Sequence, residues 1–147
     1  MATLNQHVRD IMTSNPSTVS EKDTIRDVAQ IMAREDTGVV PVCDGKKIIG
    51  LITDRDIVVR LVADGRDLGK ATVNDVMSRS VRAVREDTPV QEVIDLMSSA
   101  EIRRVPVVDD KNELVGIVSM GDIASKTSER GKVGHAIEDI SKGAPNN

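Results

Sequence analysis

The sequence contains no phenylalanine, tyrosine or tryptophan. That excludes the stacking platforms on which single-stranded RNA and DNA modules seat successive bases. A ring-shaped ligand has to be held between aliphatic side chains and backbone. The core has to be Val, Ile, Leu, Met and Ala, which favours small layers of β-branched strands under short helices. Cysteine is a single residue, Cys43, so an internal disulfide is excluded, and with it a disulfide-linked secreted scaffold. The two histidines, His7 and His135, do not join Cys43 at any zinc-ligand spacing, and no metal site is expected. Basic residues number 20 against 24 acidic ones, for a net charge of −4. That balance argues against a general binder of nucleic acid or anionic membrane. No run of eighteen apolar residues occurs, and the first residues lack the charged-then-apolar profile of a signal peptide. Cytoplasm is the expected location.

What is present suffices for a globular core: 147 residues, 39% of them hydrophobic and 30% charged. The chain also repeats itself. Shifted by 65 positions, residues 8–44 lie on residues 73–109, and eleven positions are identical: Val8, Asp10, Met12, Val19, Glu21, Val28, Met32, Val40, Pro41, Val42 and Asp44. One extra residue in the second copy moves the offset to 66, after which Gly50, Asp56 and Ile57 match Gly116, Asp122 and Ile123. Two copies are too few for a solenoid. They predict a pseudo-twofold pair in an α+β fold, with a first repeat over residues 1–64, a linker over 65–71, a second repeat over 72–126 and a polar tail over 127–147.

Each copy reads as β-α-β-β-α behind a short helical turn, Val8–Met12 in the first. Ser17–Val19 is a brief extended piece. Asp23 is the expected cap of a helix with Ile25, Val28, Ala29 and Met32 facing inward at helical spacing. In the second copy Thr88 is the expected N-cap, with Pro89 at the first helical position and Gln91 at the capping-box place. That helix turns Val90, Val93, Ile94 and Met97 inward. Val39–Cys43 and Ile48–Ile52 flank Asp44-Gly45-Lys46-Lys47 as a hairpin, repeated by Val105–Val108 and Leu114–Val118. Pro41 and Pro106 carry no N–H, which predicts that their strands lie at an edge or end there. A second helix runs from Thr53 to about Ala63, with a counterpart starting at Ser119. A further helix is expected around Val133–Ile140.

One motif occurs twice at the same place. Gly50-Leu-Ile-Thr53-Asp-Arg-Asp56 is matched by Gly116-Ile-Val-Ser119-Met-Gly-Asp122. Each ends a strand, then sets a hydroxyl three residues before a carboxylate at a helix start. A Ser/Thr followed by an acid at this spacing is a capping box and needs no ligand. A fixed carboxylate can also accept two hydrogen bonds from adjacent sugar hydroxyls, and free N–H groups at a helix start suit a phosphate. Both readings are compatible.

With Val-Pro-Val-x-Asp preceding it in copy one, and Ile102-Arg-Arg-Val-Pro-Val-Val-Asp109 in copy two, this doubled pattern resembles a tandem pair of CBS domains. It is similar to the small stand-alone CBS-pair proteins of bacteria, some of them linked to stress or hypoxia responses. The resemblance covers about Val8 to Ala124. It implies a regulatory, non-enzymatic module that senses an adenine nucleotide (AMP, ADP, ATP or a related adenosyl compound) and needs no other cofactor. It implies that Asp56 with Thr53, and Asp122 with Ser119, hold the ribose. Arg103 and Arg104 contact phosphate in the second copy. Gly38 and Val39 stand at the equivalent places in the first and offer no charge; Val39 is counted among the lining residues. Arg55 partly substitutes, although Gly121 takes its place in copy two. The adenine contacts come from Asn15, Pro16 and Ser17 for the Asp122 site, and from Ser80, Val81 and Arg82 for the Asp56 site. Two inequivalent sites are thus expected in the cleft between repeats, with phosphate held better at Asp122.

The resemblance also implies a homodimer formed through helices, for which Ile57, Val58 and Leu61 offer apolar surface. An effect on a separate protein would act in trans, since no enzymatic domain accompanies the repeats. Cys43 stands where copy two has Val108 and reads as a small buried hydrophobe, with a redox sensor as the alternative. Met12, Met32, Met77 and Met97 read as core fillers, and both histidines as exposed. Two other readings stand beside the sensor. One is a structural dimerisation module whose motifs only cap helices. The other is a metal-dependent nucleotide hydrolase using Asp54 and Asp56, against which no paired general acid and base is evident.

Overall fold

The computed structural model describes residues 6–126. In chain order it contains a 3₁₀ turn (Val8–Asp10), β1 (Thr13–Ser14), α1 (Ile25–Glu35), β2 (Val39–Asp44), β3 (Lys47–Thr53), α2 (Asp54–Ile57), a π-helical turn (Val58–Val62), α3 (Val73–Val76), β4 (Val84–Arg85), α4 (Val90–Ala100), β5 (Arg104–Val108), β6 (Leu114–Ser119) and α5 (Met120–Lys126). The β-α-β-β-α order of each copy is present, in an α+β fold, but the opening strand of the first copy is Thr13–Ser14, and the expected extended piece Ser17–Val19 forms only an isolated bridge at Val19. The expected tail, its helix at 133–140 and His135 lie outside the described residues.

The chain packs as two units. One joins residues 6–15 to 82–126, and the other comprises Pro16–Val81. The helical turn that opens each sequence copy is therefore packed with the strands and helices of the other copy. The repeat boundaries read from the sequence, 1–64 and 72–126, and these packing units are different divisions of the chain.

In the first unit a four-stranded sheet runs β1-β6-β5-β4, with β4 and β5 parallel and the other pairs antiparallel. In the second, the β2–β3 hairpin has the same flanks in shorter form: Ser78 bridges Leu51 beside β3, and Val19 bridges Val42 beside β2. Helix α4 buries Val90, Val93, Ile94 and Met97 against Val105, Val107, Val118 and Ile123, joined by Val8 and Ile11 from the turn. The second core gathers Val19, Ile25, Val28, Val40, Val42, Ile52, Leu61, Val73, Val76 and Met77. Each such aliphatic side chain contributes about 1.5–3 kcal/mol when removed from water, which makes these two clusters the main stabilising term.

Several local expectations are corrected. Thr24, not Asp23, caps α1: its Oγ1 accepts from Asp27 N at 3.1 Å while Asp27 accepts from Thr24 N, and Asp23 instead closes a turn from Ser20 N. Thr88 is not the cap of α4. Its hydroxyl accepts from Arg85 N in the preceding turn, Pro89 occupies the cap position, and the helix begins at Val90. Ala29 is exposed, so the buried stripe of α1 is narrower than its spacing suggests. The edge-or-end expectation for Pro41 and Pro106 holds: β2 lies in a two-stranded sheet with only the Val19–Val42 bridge on its far side, and β5, although between β6 and β4, has no β4 partner at Pro106. The missing N–H is tolerated because the neighbour on that side is short: β4 pairs with β5 only at Val107 and Val108, and Pro41 gives its carbonyl to Val19 N.

Candidate functional site

Each motif glycine is fixed by its surroundings. A Cβ on Gly50 would lie 2.6 Å from the Ser78 carbonyl oxygen and against Met77; one on Gly116 would lie 2.9 Å from the Thr13 carbonyl oxygen and against Met12. The segment leaving each helical turn crosses the strand there. Only hydrogen at that position lets the crossing occur.

Three residues on, the strand becomes a helix. Thr53 Oγ1 accepts from Asp56 N, and Thr53 N donates to Asp56 Oδ2, both at 3.0 Å. Ser119 and Asp122 repeat the pair at the same two distances. The capping-box reading is therefore realised in both copies. It engages Oδ2 of each carboxylate, while Oδ1 faces a cation. The Asp56 and Asp122 side chains remain 17% and 20% exposed, so each acid is held by its helix start and keeps a solvent-facing edge.

A cation sits on the second oxygen in each copy. Arg60 Nε lies 3.8 Å from Asp56 Oδ1, and Lys126 Nζ lies 3.5 Å from Asp122 Oδ1. Sequence reasoning missed these two residues. The signal was available, because they match at the same offset of 66 that aligns the acids.

The two copies differ where a phosphate is expected. At the Asp56 copy the first three helical N–H groups are all taken within the chain: Asp54 N by Gly38 O at 3.0 Å, Arg55 N by Asp54 Oδ1 at 2.8 Å, and Asp56 N by Thr53. The expectation of free N–H groups fails there, and in the other copy Met120 N and Asp122 N are bonded within the chain as well. The Asp54 carboxylate moreover packs on Gly38, 2.9 Å from where a Cβ would stand. In the other copy Met120 replaces Asp54, its N–H donates to Arg103 O at 2.8 Å, and half-buried Arg103 and Arg104 lead into β5.

The remaining expected residues fall as follows. Asn15 shares a unit with Asp122, takes a left-handed φ of 51°, and donates to Val115 O at 3.2 Å. Pro16 and Ser17 belong to the other unit, where the Ser17 hydroxyl donates to Glu35. Ser80 and Val81 share a unit with Asp56, whereas Arg82 does not. Arg55 is exposed. Val39 is buried, its N–H and carbonyl both bonded to the Thr37 hydroxyl. Cys43 is buried, and burial pushes its thiol pKa up, away from the reactive thiolate. His7 is half-buried rather than exposed, with Nδ1 2.9 Å from Arg9 Nη2. Among the described residues no three His, Cys, Asp or Glu side chains cluster as a metal site, and no helix is long and apolar enough to cross a membrane.

The CBS domain model matches residues 8–63 and again 73–129. A CBS domain-containing protein of Bacillus subtilis, YhcV, is 38% identical over 91% of this chain and 94% of its own length. Among solved structures, hypoxic response protein I with two coordinated zinc ions is 36% identical over 83% of this chain and 99% of its own, with a TM-score of 0.76. The CBS domain pair of protein MJ0100, in complex with 5′-methylthioadenosine and S-adenosyl-L-methionine, is 35% identical over 81% of this chain and 93% of its own, with a TM-score of 0.72. CBSX2 in complex with AMP is 25% identical over 92% of this chain and 98% of its own, with a TM-score of 0.68.

Proposed function

We propose, on the premise that this chain belongs to the CBS domain family and carries that domain twice, that it is a non-catalytic cytoplasmic sensor of adenosyl ligands. The observation that carries this reading is the twinned acid: Asp56 and Asp122, each held at one oxygen by its own helix start and open along an edge. An ionised carboxylate in a fixed rotamer accepts both hydroxyls of a ribose without first losing side-chain freedom, which favours binding. Solved relatives in complex with AMP, 5′-methylthioadenosine and S-adenosylmethionine support the ligand class.

The two sites divide the ligands. Arg103 and Arg104 give the Asp122 site positive charge for a 5′-phosphate, and each charged hydrogen bond contributes on the order of 1.5–3 kcal/mol. The Asp56 site has Gly38 and a carboxylate, Asp54, at the corresponding place. It suits an adenosyl ligand without a 5′-phosphate. Asn15 and the stretch Ser80–Val81 supply base contacts. Binding biases the geometry of a homodimer or of a protein target, a coupling typically of 1–3 kcal/mol.

Isothermal calorimetry with AMP and 5′-methylthioadenosine tests this on the parent, Asp56→Ala and Asp122→Ala. AMP binding is expected to be lost with Asp122→Ala and retained with Asp56→Ala. Equal losses contradict the division of sites, and a parent that binds neither compound overturns the function.

A second reading rests on the reciprocal capping boxes, which account for both motifs without a ligand. In that case the chain is a dimerisation scaffold. Its melting temperature would ignore millimolar adenosyl compounds, whereas a ligand at about 100 times its dissociation constant adds about 2.7 kcal/mol. The chain lacks Trp and Tyr, so far-UV circular dichroism is the suitable readout.

A further inference from the structure

We propose that Arg60 and Lys126 are positioning residues, each tying a motif carboxylate to the main chain of the helical turn whose continuation passes the site. The inference rests on the sugar-binding role given to Asp56 and Asp122 above. Lys126 Nζ donates to the Ile11 carbonyl at 3.0 Å while lying 3.5 Å from Asp122 Oδ1. Arg60 Nη1 donates to the carbonyls of Val76 and Met77, each at 3.3 Å, while Nε lies 3.8 Å from Asp56 Oδ1. Ile11 and Val76 occupy the same repeat position. The same three groups (carboxylate, cation, turn carbonyl) thus meet in both copies, through two chemically different side chains.

Stability alone does not account for the arrangement. An exposed ion pair one helical turn apart contributes little. The carbonyls that accept here are those at a helical C-terminus, which lack partners within their own turn. Satisfying them with the same cation that faces the acid makes the acid's position depend on the turn's. Oδ2 is already fixed by the Thr53 or Ser119 N–H, so a second contact at Oδ1 sets the plane of the carboxylate. From the turn the chain runs on as Met12–Asn15 beside β6, or as Met77–Ser78 beside β3. A ligand that grips the acid and lies on this segment is therefore sensed by both through one side chain. Arg60, with two carbonyls, holds its turn at more points than Lys126 does.

The test uses the full chain with Asp56→Ala, leaving the Asp122 site, and AMP as probe. Lys126→Met is expected to weaken AMP binding by roughly three- to tenfold, the effect of one net hydrogen bond, and Lys126→Arg to restore it. Saturating AMP is further expected to slow amide exchange over residues 12–15 in the parent and in Lys126→Arg, but not in Lys126→Met. Unchanged AMP affinity and unchanged protection in Lys126→Met overturn this inference and leave the proposed function standing. So does a loss that Lys126→Arg fails to restore, since a merely structural role would not distinguish the two replacements in this way. A parent that binds neither AMP nor 5′-methylthioadenosine overturns both together.

Discussion

Gly50 and Gly116 illustrate how one hydrogen atom can decide a fold. Their φ angles are ordinary; what they lack room for is a Cβ, because the Ser78 and Thr13 carbonyls cross close above them. Gly50→Ala and Gly116→Ala are each expected to cost about 1–3 kcal/mol, the range for overpacking a filled site, measured as denaturant unfolding followed by far-UV circular dichroism. Cys43 makes the opposite case. It fills a buried place where the second copy has Val108, and burial holds its thiol in the protonated form. Native protein at pH 8 should react with Ellman's reagent far more slowly than unfolded protein, and Cys43→Val should keep stability within about 1.5 kcal/mol of the parent. The motif acids were legible from sequence because their spacing repeats. The cations facing them were not recognised, because a Lys or Arg four residues after an Asp resembles any solvated helical pair.

Among the elements, the helix ends carry information that spacing alone assigns loosely. Both long helices stop at a left-handed residue that is not glycine, Asp36 at φ 51° and Glu101 at φ 57°. Glu101→Gly is expected to raise stability by about 0.5–1 kcal/mol, since the relief of left-handed strain exceeds the entropy that glycine adds to the unfolded chain. At the start of α3 the Thr72 backbone N–H holds the Asp75 carboxyl below its ordinary value of 3.8, with the Thr72 hydroxyl and Arg66 acting in the same direction against partial desolvation. A depressed folded pKa stabilises above the unfolded value and loses that contribution as pH falls through the folded one. Asp75→Asn should therefore flatten the fall in stability below about pH 4, read from urea midpoints at pH 7 and pH 3. The caps of α1 and α4 were misplaced by one position because a Ser, Thr, Asp or Pro cluster offers several candidate caps. Only the hydrogen bonds choose between Asp23 and Thr24, or remove Thr88 to its own turn.

For the whole molecule, the π-helical turn after α2 sets which residues are left outside. Leu61, expected on a dimer surface, is instead fully buried, while Val58, Val59 and Val62 are 56%, 50% and 53% exposed. The i→i+5 bond from Ala63 N to Val58 O, 2.8 Å long, shifts the register by one residue relative to an α-helix. If these valines join two copies in a homodimer, Val59→Glu with Val62→Glu should halve the mass measured by light scattering while leaving far-UV circular dichroism unchanged. By itself the sequence determined the doubled β-α-β-β-α plan, the apolar stripes, the hairpins and the twin acids, because each depends on residues near in the chain or on a pattern the chain states twice. The tertiary structure alone decided which opening turn packs in which unit, which carbonyl each cation reaches, and which valines stay in water. Periodicity marks a face as apolar and leaves its partner unnamed; that choice belongs to packing between segments tens of residues apart.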